Sequence, residues 1–210
     1  MARLMFLDVF DRNPFGTNCW ILGDAESADA VVVDPGFDPE GIRSLLVDVG
    51  RRPVAVLLTH AHLDHASAAG EFAGEEVPVF VHGEDAVAFD DIDRWNPGFE
   101  NPLTPVKDLR PIADREVLRF ADLSIVVHHT PGHTPGHCSF EIDAALAAGD
   151  LVFAGTIGRS DFPNSSPQDM RRSLRWFLTL DGPTEVLPGH GERTTVGRER
   201  ASNPFLVELG

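Results

Sequence analysis

The stretch Val54-Ala55-Val56-Leu57-Leu58-Thr59-His60-Ala61-His62-Leu63-Asp64-His65 sets an apolar run directly against three histidines and an aspartate. Length and composition make Val54 to Leu58 a buried strand, so the histidines fall just beyond its end. His60 and His62 cannot share a helical face, but residues two apart point the same way in an extended segment. Asp64 and His65 come where the chain turns into a helix expected over about 64–73. An extended pair followed by a turning pair presents four donors to two adjacent points. A solvated polar loop gives no reason to gather three of the chain's nine histidines into six residues.

Working outward, three later segments repeat this grammar. The apolar run Ser124 to His128 leads into His129-Thr130-Pro131-Gly132-His133-Thr134-Pro135-Gly136-His137. Ala144 to Ala148 leads into Gly149-Asp150, and Glu185 to Leu187 into Pro188-Gly189-His190-Gly191. Each places a His or Asp beyond a hydrophobic strand, with Gly or Pro setting a tight turn. Open α/β sheets bind ligands outside their strand ends, so four such ends can converge on one site. Five histidines and two aspartates are the donor set for two borderline divalent ions, three His and a shared carboxylate for one, two His and two carboxylates for the other. Such a pair needs no Ser or Cys nucleophile, because it activates water.

The flanking sequence alternates strands and helices. Strands are expected over Leu4 to Phe10, Cys19 to Leu22, Ala30 to Val33 and Val77 to Val81. Others are expected at Val117 to Phe120, Leu123 to His128, Cys138 to Ile142 and Leu151 to Phe153. Asp38-Pro39-Glu40 opens a helix that carries Ile42, Leu45, Leu46 and Val49 and stops at Gly50. Met170 to Leu180 is a second helix, and residues 90–105, with four prolines or glycines and little periodicity, form a long loop. No linker, repeat or low-complexity tract interrupts this order, so residues 1–210 are expected to form a single α/β sandwich domain. At 42% hydrophobic and 24% charged, the composition excludes disorder, collagen and coiled coil. A net charge of −16 argues against a nucleic-acid partner, and no stretch reaches the ~20 apolar residues of a membrane span. Cys19 and Cys138 form no bridge framework, and the first residues lack a signal peptide, so a cytoplasmic location is expected.

The ordered set Thr59-His60-Ala61-His62-Leu63-Asp64-His65, Gly132-His133-Thr134-Pro135-Gly136-His137, Gly149-Asp150 and Pro188-Gly189-His190-Gly191 resembles the metallo-β-lactamase superfamily. Gly16-Thr17-Asn18-Cys19-Trp20 and Val33-Asp34-Pro35-Gly36 match it as well. Gly158-Arg159-Ser160-Asp161-Phe162-Pro163 and Arg200-Ala201-Ser202-Asn203-Pro204-Phe205 are similar to its short glyoxalase II-like hydrolases. The resemblance implies a four-layer αββα sandwich with two divalent ions, zinc foremost and iron or manganese as alternatives, at one edge of the sheets. It gives His60, His62 and His133 to the first ion, Asp64, His65 and His190 to the second, and makes Asp150 the bridge. Asp64 and Asp150 are thereby the catalytic carboxylates. His137 is expected to support the ligands, and His82, His128 and His129 to be structural. Arg159 and Arg200 are the candidate contacts for an anionic small-molecule substrate, a thioester of the S-lactoylglutathione type cleaved by a hydroxide held between the ions. The glutathione-gripping helical domain of full-length glyoxalase II has no counterpart in this sequence, nor has its tyrosine, since the chain contains none. The alternatives are a mono-iron persulfide dioxygenase of the same fold, whose last motif usually reads Pro-Ala-His, and a non-catalytic metal-binding protein.

Overall fold

The computed structural model describes residues 5–73, 77–91, 95 and 103–209. The first sheet begins with β1 (Met5–Phe10), β2 (Cys19–Asp24) and β3 (Asp29–Val33), each antiparallel to the next. It continues in parallel through β4 (Arg52–Leu57), β5 (Val79–His82) and β6 (Leu109–Ile112). The second sheet runs in the order β14 (Thr194–Thr195), β13 (Glu185–Pro188), β10 (Ala145–Gly149), β9 (Cys138–Ile142), β8 (Leu123–His129) and β7 (Val117–Phe120). A small hairpin, β11 (Val152–Phe153) and β12 (Thr156–Ile157), lies between β10 and the C-terminal helices in sequence.

Period-two alternation makes the layers. Along β3, Val31 and Val33 enter the core between the sheets, while Ala30 and Val32 enter an outer core. That outer core is covered by α1 (Pro39–Asp48) and α3 (Ala69–Ala73), through Ile42, Leu46 and Phe72. On the other side Leu146 and Val186 leave the second sheet to meet α5 (Pro167–Phe177), α6 (Val196–Ser202) and α7 (Pro204–Val207), through Met170, Leu174, Phe177, Val196 and Leu206. Helix, sheet, sheet, helix is thus the order of layers, and the expected αββα sandwich is what the chain forms. No helix among the described residues is long and apolar enough to cross a membrane.

The sequence signals account for most element ends. Asp38 accepts from the Gly41 amide ahead of Pro39, and Ser166 accepts from the Asp169 amide ahead of Pro167. That serine starts the second long helix three residues before Met170. The helix expected over 64–73 is two pieces, α2 (Leu63–Ala66) and α3, because the Ala68 amide is drawn to the carbonyls of Pro35 and Gly36. Strand β6 and the short α4 (Gly83–Ala86) were not foreseen; β6 contains Pro111 and sits at the sheet edge, where proline is tolerated. Most of the expected 90–105 loop lies outside the described residues.

Candidate metal centre

Four strand ends deliver the candidate ligands. The turn after β4 carries Thr59 to His62, α2 carries Asp64 and His65, and the turns after β8, β10 and β13 carry His133, Asp150 and His190. Their donor atoms fall into overlapping trios, each within 4.8 Å: His60, His62 and His133; His60, His65 and Asp150; Asp64, His65 and His190. His62 Nδ1 lies 2.9 Å from His133 Nε2, and His190 Nε2 lies 3.2 Å from Asp64 Oδ2. Asp150 sits between the sets, Oδ1 at 3.4 Å from His65 Nε2 and Oδ2 at 3.4 Å from His133 Nε2. All seven residues named from the sequence are therefore brought together.

The partners of the far ring nitrogens fix which nitrogen faces inward. Thr59 Oγ1 donates to Asp34 Oδ2 at 2.6 Å, so it accepts from His60 Nδ1 at 3.0 Å. His65 Nδ1 donates to Asp34 Oδ2 at 2.9 Å, and His133 Nδ1 donates to the Arg159 carbonyl at 2.8 Å. In each ring Nε2 is the nitrogen turned toward the centre, the arrangement that orients metal-binding histidines. His60 Nε2 and Asp150 Oδ1 are buried with no hydrogen-bond partner. Buried polar atoms are normally satisfied, so two orphans aimed into one cluster of N and O donors fit a borderline divalent ion.

Close backbone approach makes the cluster compact. Gly149 has φ +52, a left-handed conformation, and a Cβ there would sit 2.5 Å from Thr59 Oγ1. A Cβ on Gly189 would sit 2.2 Å from Asp150 Oδ1. Asn18 holds the His190 turn, its side chain donating to the carbonyls of Pro188 and Gly191, and Trp20 Nε1 also donates to Pro188. Thr17 Oγ1 donates to Asp64 Oδ2.

Charge divides the cluster. Burial, then the neighbouring His charges, holds His60 well below its ordinary pKa. Burial and then His133 bring His62 down to about 3. Burial lowers His133 too, against the pull of Asp150. At His65 burial is outweighed by Asp64, Asp150 and the bond to Asp34, and the pKa is pushed up to about 10. His190 is raised, its bond to Asp64 and the charge of Asp150 overcoming burial. Asp64, for which burial alone would raise the pKa, is held below the usual carboxylate range by His65 and His190. Charge thus separates His60, His62 and His133, whose neutral forms are favoured, from His65 and His190, whose protonated forms the neighbouring carboxylates favour.

The remaining histidines lie outside. His137 Nε2 accepts from the Asp150 amide at 3.1 Å, which supports the ligand without joining the set. His128 pairs with Glu141 at 2.6 Å. His82 and His129 stack at 4.1 Å and share a trio with Glu84, but His129 Nε2 donates to the Pro135 carbonyl and His82 Nδ1 accepts from the Glu84 amide. Arg159 stands beside the cluster, its guanidinium over Phe162 at 4.4 Å and paired with Asp161 at 2.9 Å. Phe162 in turn packs against His62 and His133, and Phe153 against His190. Arg200 donates to the carbonyls of Leu178 and Leu180 just beyond the end of α5, and the structure does not bring it to the ligands. Sequence reasoning assigned no role to Asp34, Asp85 or Thr59; one usable signal was Asp34 in a Val-Asp-Pro-Gly turn with φ +55, a strained position that favours Asp or Asn.

A family model described as the metallo-beta-lactamase superfamily matches residues 12–190. The hydroxyacylglutathione hydrolase GloC of Haemophilus influenzae is 32% identical, the match covering 96% of this chain and 98% of that protein. Among solved structures, TTHA1623 in a di-iron-bound form is 35% identical with a TM-score of 0.84, covering 96% of this chain and all of that one. The BLEG-1 B3 metallo-beta-lactamase is 30% identical with a TM-score of 0.83, covering 96% and 99%.

Proposed function

The chain belongs to the metallo-β-lactamase superfamily, and from that membership we propose that it is a dinuclear metallohydrolase cleaving a thioester or related ester. One observation carries the proposal: Asp150 turns one oxygen toward His65 and the other toward His133 and His190, so a single carboxylate serves both sets. In this reading His60, His62 and His133 hold the first ion, Asp64, His65 and His190 hold the second, and Asp150 bridges. Two such ions, zinc or zinc with iron, would supply a Lewis acid for a carbonyl and lower the pKa of a bound water to about 7.

The chain's own residues do the rest. Asp34 and the Arg159 carbonyl keep the histidine protons on the outer nitrogens. Phe153 and Phe162 wall the cluster with apolar surface, which orients a carbonyl and limits bulk water. Arg159 is the proposed contact for an anionic group, since its exposed pair with Asp161 is worth little and can be exchanged. Arg200 drops out of that role because its guanidinium is spent on the carbonyls of Leu178 and Leu180. The relative named hydroxyacylglutathione hydrolase supports a glutathione-type thioester, and the di-iron relative supports two ions while leaving iron beside zinc as the metal.

The test is turnover of S-lactoylglutathione alongside glutathione persulfide, with metals quantified on the same sample. Thioester hydrolysis without oxygen uptake, at two ions per chain, is expected. At most one ion, as iron, together with oxygen uptake on the persulfide, would replace this reading with the dioxygenase.

A further inference from the structure

Asp85 lies far in sequence from every candidate ligand, yet one carboxylate grips both loops that supply the first set. Its side chain is completely buried on α4. Oδ2 accepts from the Ala61 amide, between His60 and His62, at 3.0 Å. The same oxygen accepts from Thr134 Oγ1, next to His133, at 2.7 Å, and Oδ1 accepts from the Gly136 amide at 2.6 Å. All three partners are neutral donors, so the bonds are satisfied by the carboxylate and would be mismatched by an amide. Gly136 is shaped for this contact, because a Cβ there would stand 2.6 Å from Asp85 Oδ1. A buried carboxylate with neutral partners is costly, and an apolar side chain would fill the space more cheaply if packing were the purpose.

The second set is held by different groups. Asp34 binds His65, and Asn18 binds the turn that carries His190; Asp34 also binds the Thr59 amide and hydroxyl, which orients the His60 ring but does not link the His60–His62 turn to the His133 turn. We propose that Asp85 is the positioning residue for the first ion's ligands, fixing the distance between the His60–His62 turn and the His133 turn, while the Asp64, His65 and His190 set stands without it. This rests on the two-set reading above, and its failure is separable from a failure of that reading.

The experiment titrates metal-free protein with zinc against a chromophoric chelator, comparing wild type, Asp85→Asn, His190→Ala and the double variant. Wild-type stoichiometry tests the two-ion reading by itself. Asp85→Asn is expected to weaken one site about 10- to 100-fold, the range for outer partners of metal ligands, and to leave the other within twofold. His190→Ala alone should keep one tight site, and the double variant none. Thr134→Val, which removes one donor and leaves Asp85, should give a smaller loss at the same site, and Thr134→Ser should restore it. Equal weakening of both sites, or tight first-site binding in Asp85→Asn, would overturn the assignment. If Asp85→Asn does not fold, the Thr134 pair decides: no loss in Thr134→Val, or no rescue by Thr134→Ser, overturns it.

Discussion

At the level of single side chains, what separates Asp150 from the other acids is that its carboxylate lies against histidines of both sets, His133 of the first and His65 and His190 of the second. Asp150→Ala should lower turnover about 100-fold or more and release metal, whereas removing an exposed acid such as Glu208 should do neither. Near-normal turnover with both ions retained would remove Asp150 from the bridge. The two thiols behave in the opposite sense, as groups with no part in the chemistry. Burial, then Asp34 for Cys19 and Asp85 for Cys138, pushes both well above the ordinary thiol pKa. In the unfolded chain they ionise near 8.5, so above that pH the unfolded state sheds protons that the folded state keeps. Stability should therefore be unaffected by the thiols below about pH 8 and fall above it by about 1 kcal/mol per pH unit for each. Denaturant midpoints at pH 7.5, 9 and 10 check this, and a Cys19→Ala/Cys138→Ala protein should lose that part of the slope. The candidate ligands stood out in the sequence because histidine is rare and here comes clustered at strand ends. The roles of Asp34 and Asp85 did not: the Val-Asp-Pro-Gly turn marks Asp34 without saying what its carboxylate meets, and among 33 acids nothing local marks Asp85, whose partners come from distant loops.

At the level of elements, the strands beside the candidate ligands were readable because each is a short apolar run, bounded by the histidine cluster after β4 and by Gly or Pro at or just beyond the ends of β8, β10 and β13. Where tertiary bonds compete with local pattern, reading failed: the helix after His65 breaks at Ser67 and Ala68 because backbone carbonyls from another loop take the Ala68 amide. Edge strand β6 was hidden by Arg110 and Pro111 within it and Lys107 just before it, which suit an edge and disguise a strand. The turn after β13 makes the sharpest element-level test. Its Gly189 is needed for close approach, since an added Cβ meets Asp150 Oδ1 at 2.2 Å and His65 Cε1 at 2.7 Å. Gly189→Ala should leave the thermal transition of the metal-free protein within a few degrees of wild type, yet weaken metal binding and cut turnover at least about tenfold. An alanine variant with wild-type metal content and rate would show that Asp150 does not need this gap.

At the level of the whole molecule, the candidate ligands come from both sheets, His60 to His65 from the first and His133, Asp150 and His190 from the second. The sheets already share an apolar core through Val31, Val33, Leu57, Ile125, Val127 and Phe140, and a backbone bond from the Cys138 amide to the Thr59 carbonyl crosses between them. At the ligand edge, however, the contacts are polar: the Asp34, Asp64 and Asp150 carboxylates all face His65, and His190 faces Asp64 and Asp150. An ion there binds the folded chain alone, because the unfolded chain does not hold these donors together. Free metal at about 1,000 times its Kd should then stabilise the fold by about 4 kcal/mol, or about 10 °C in a chain of this size. Scanning calorimetry with zinc and then with excess chelator measures it, and the shift should vanish in a His60→Ala/His190→Ala protein. An unchanged transition temperature in protein shown by elemental analysis to have lost its ions would mean that the metal does not tie the two sheets together.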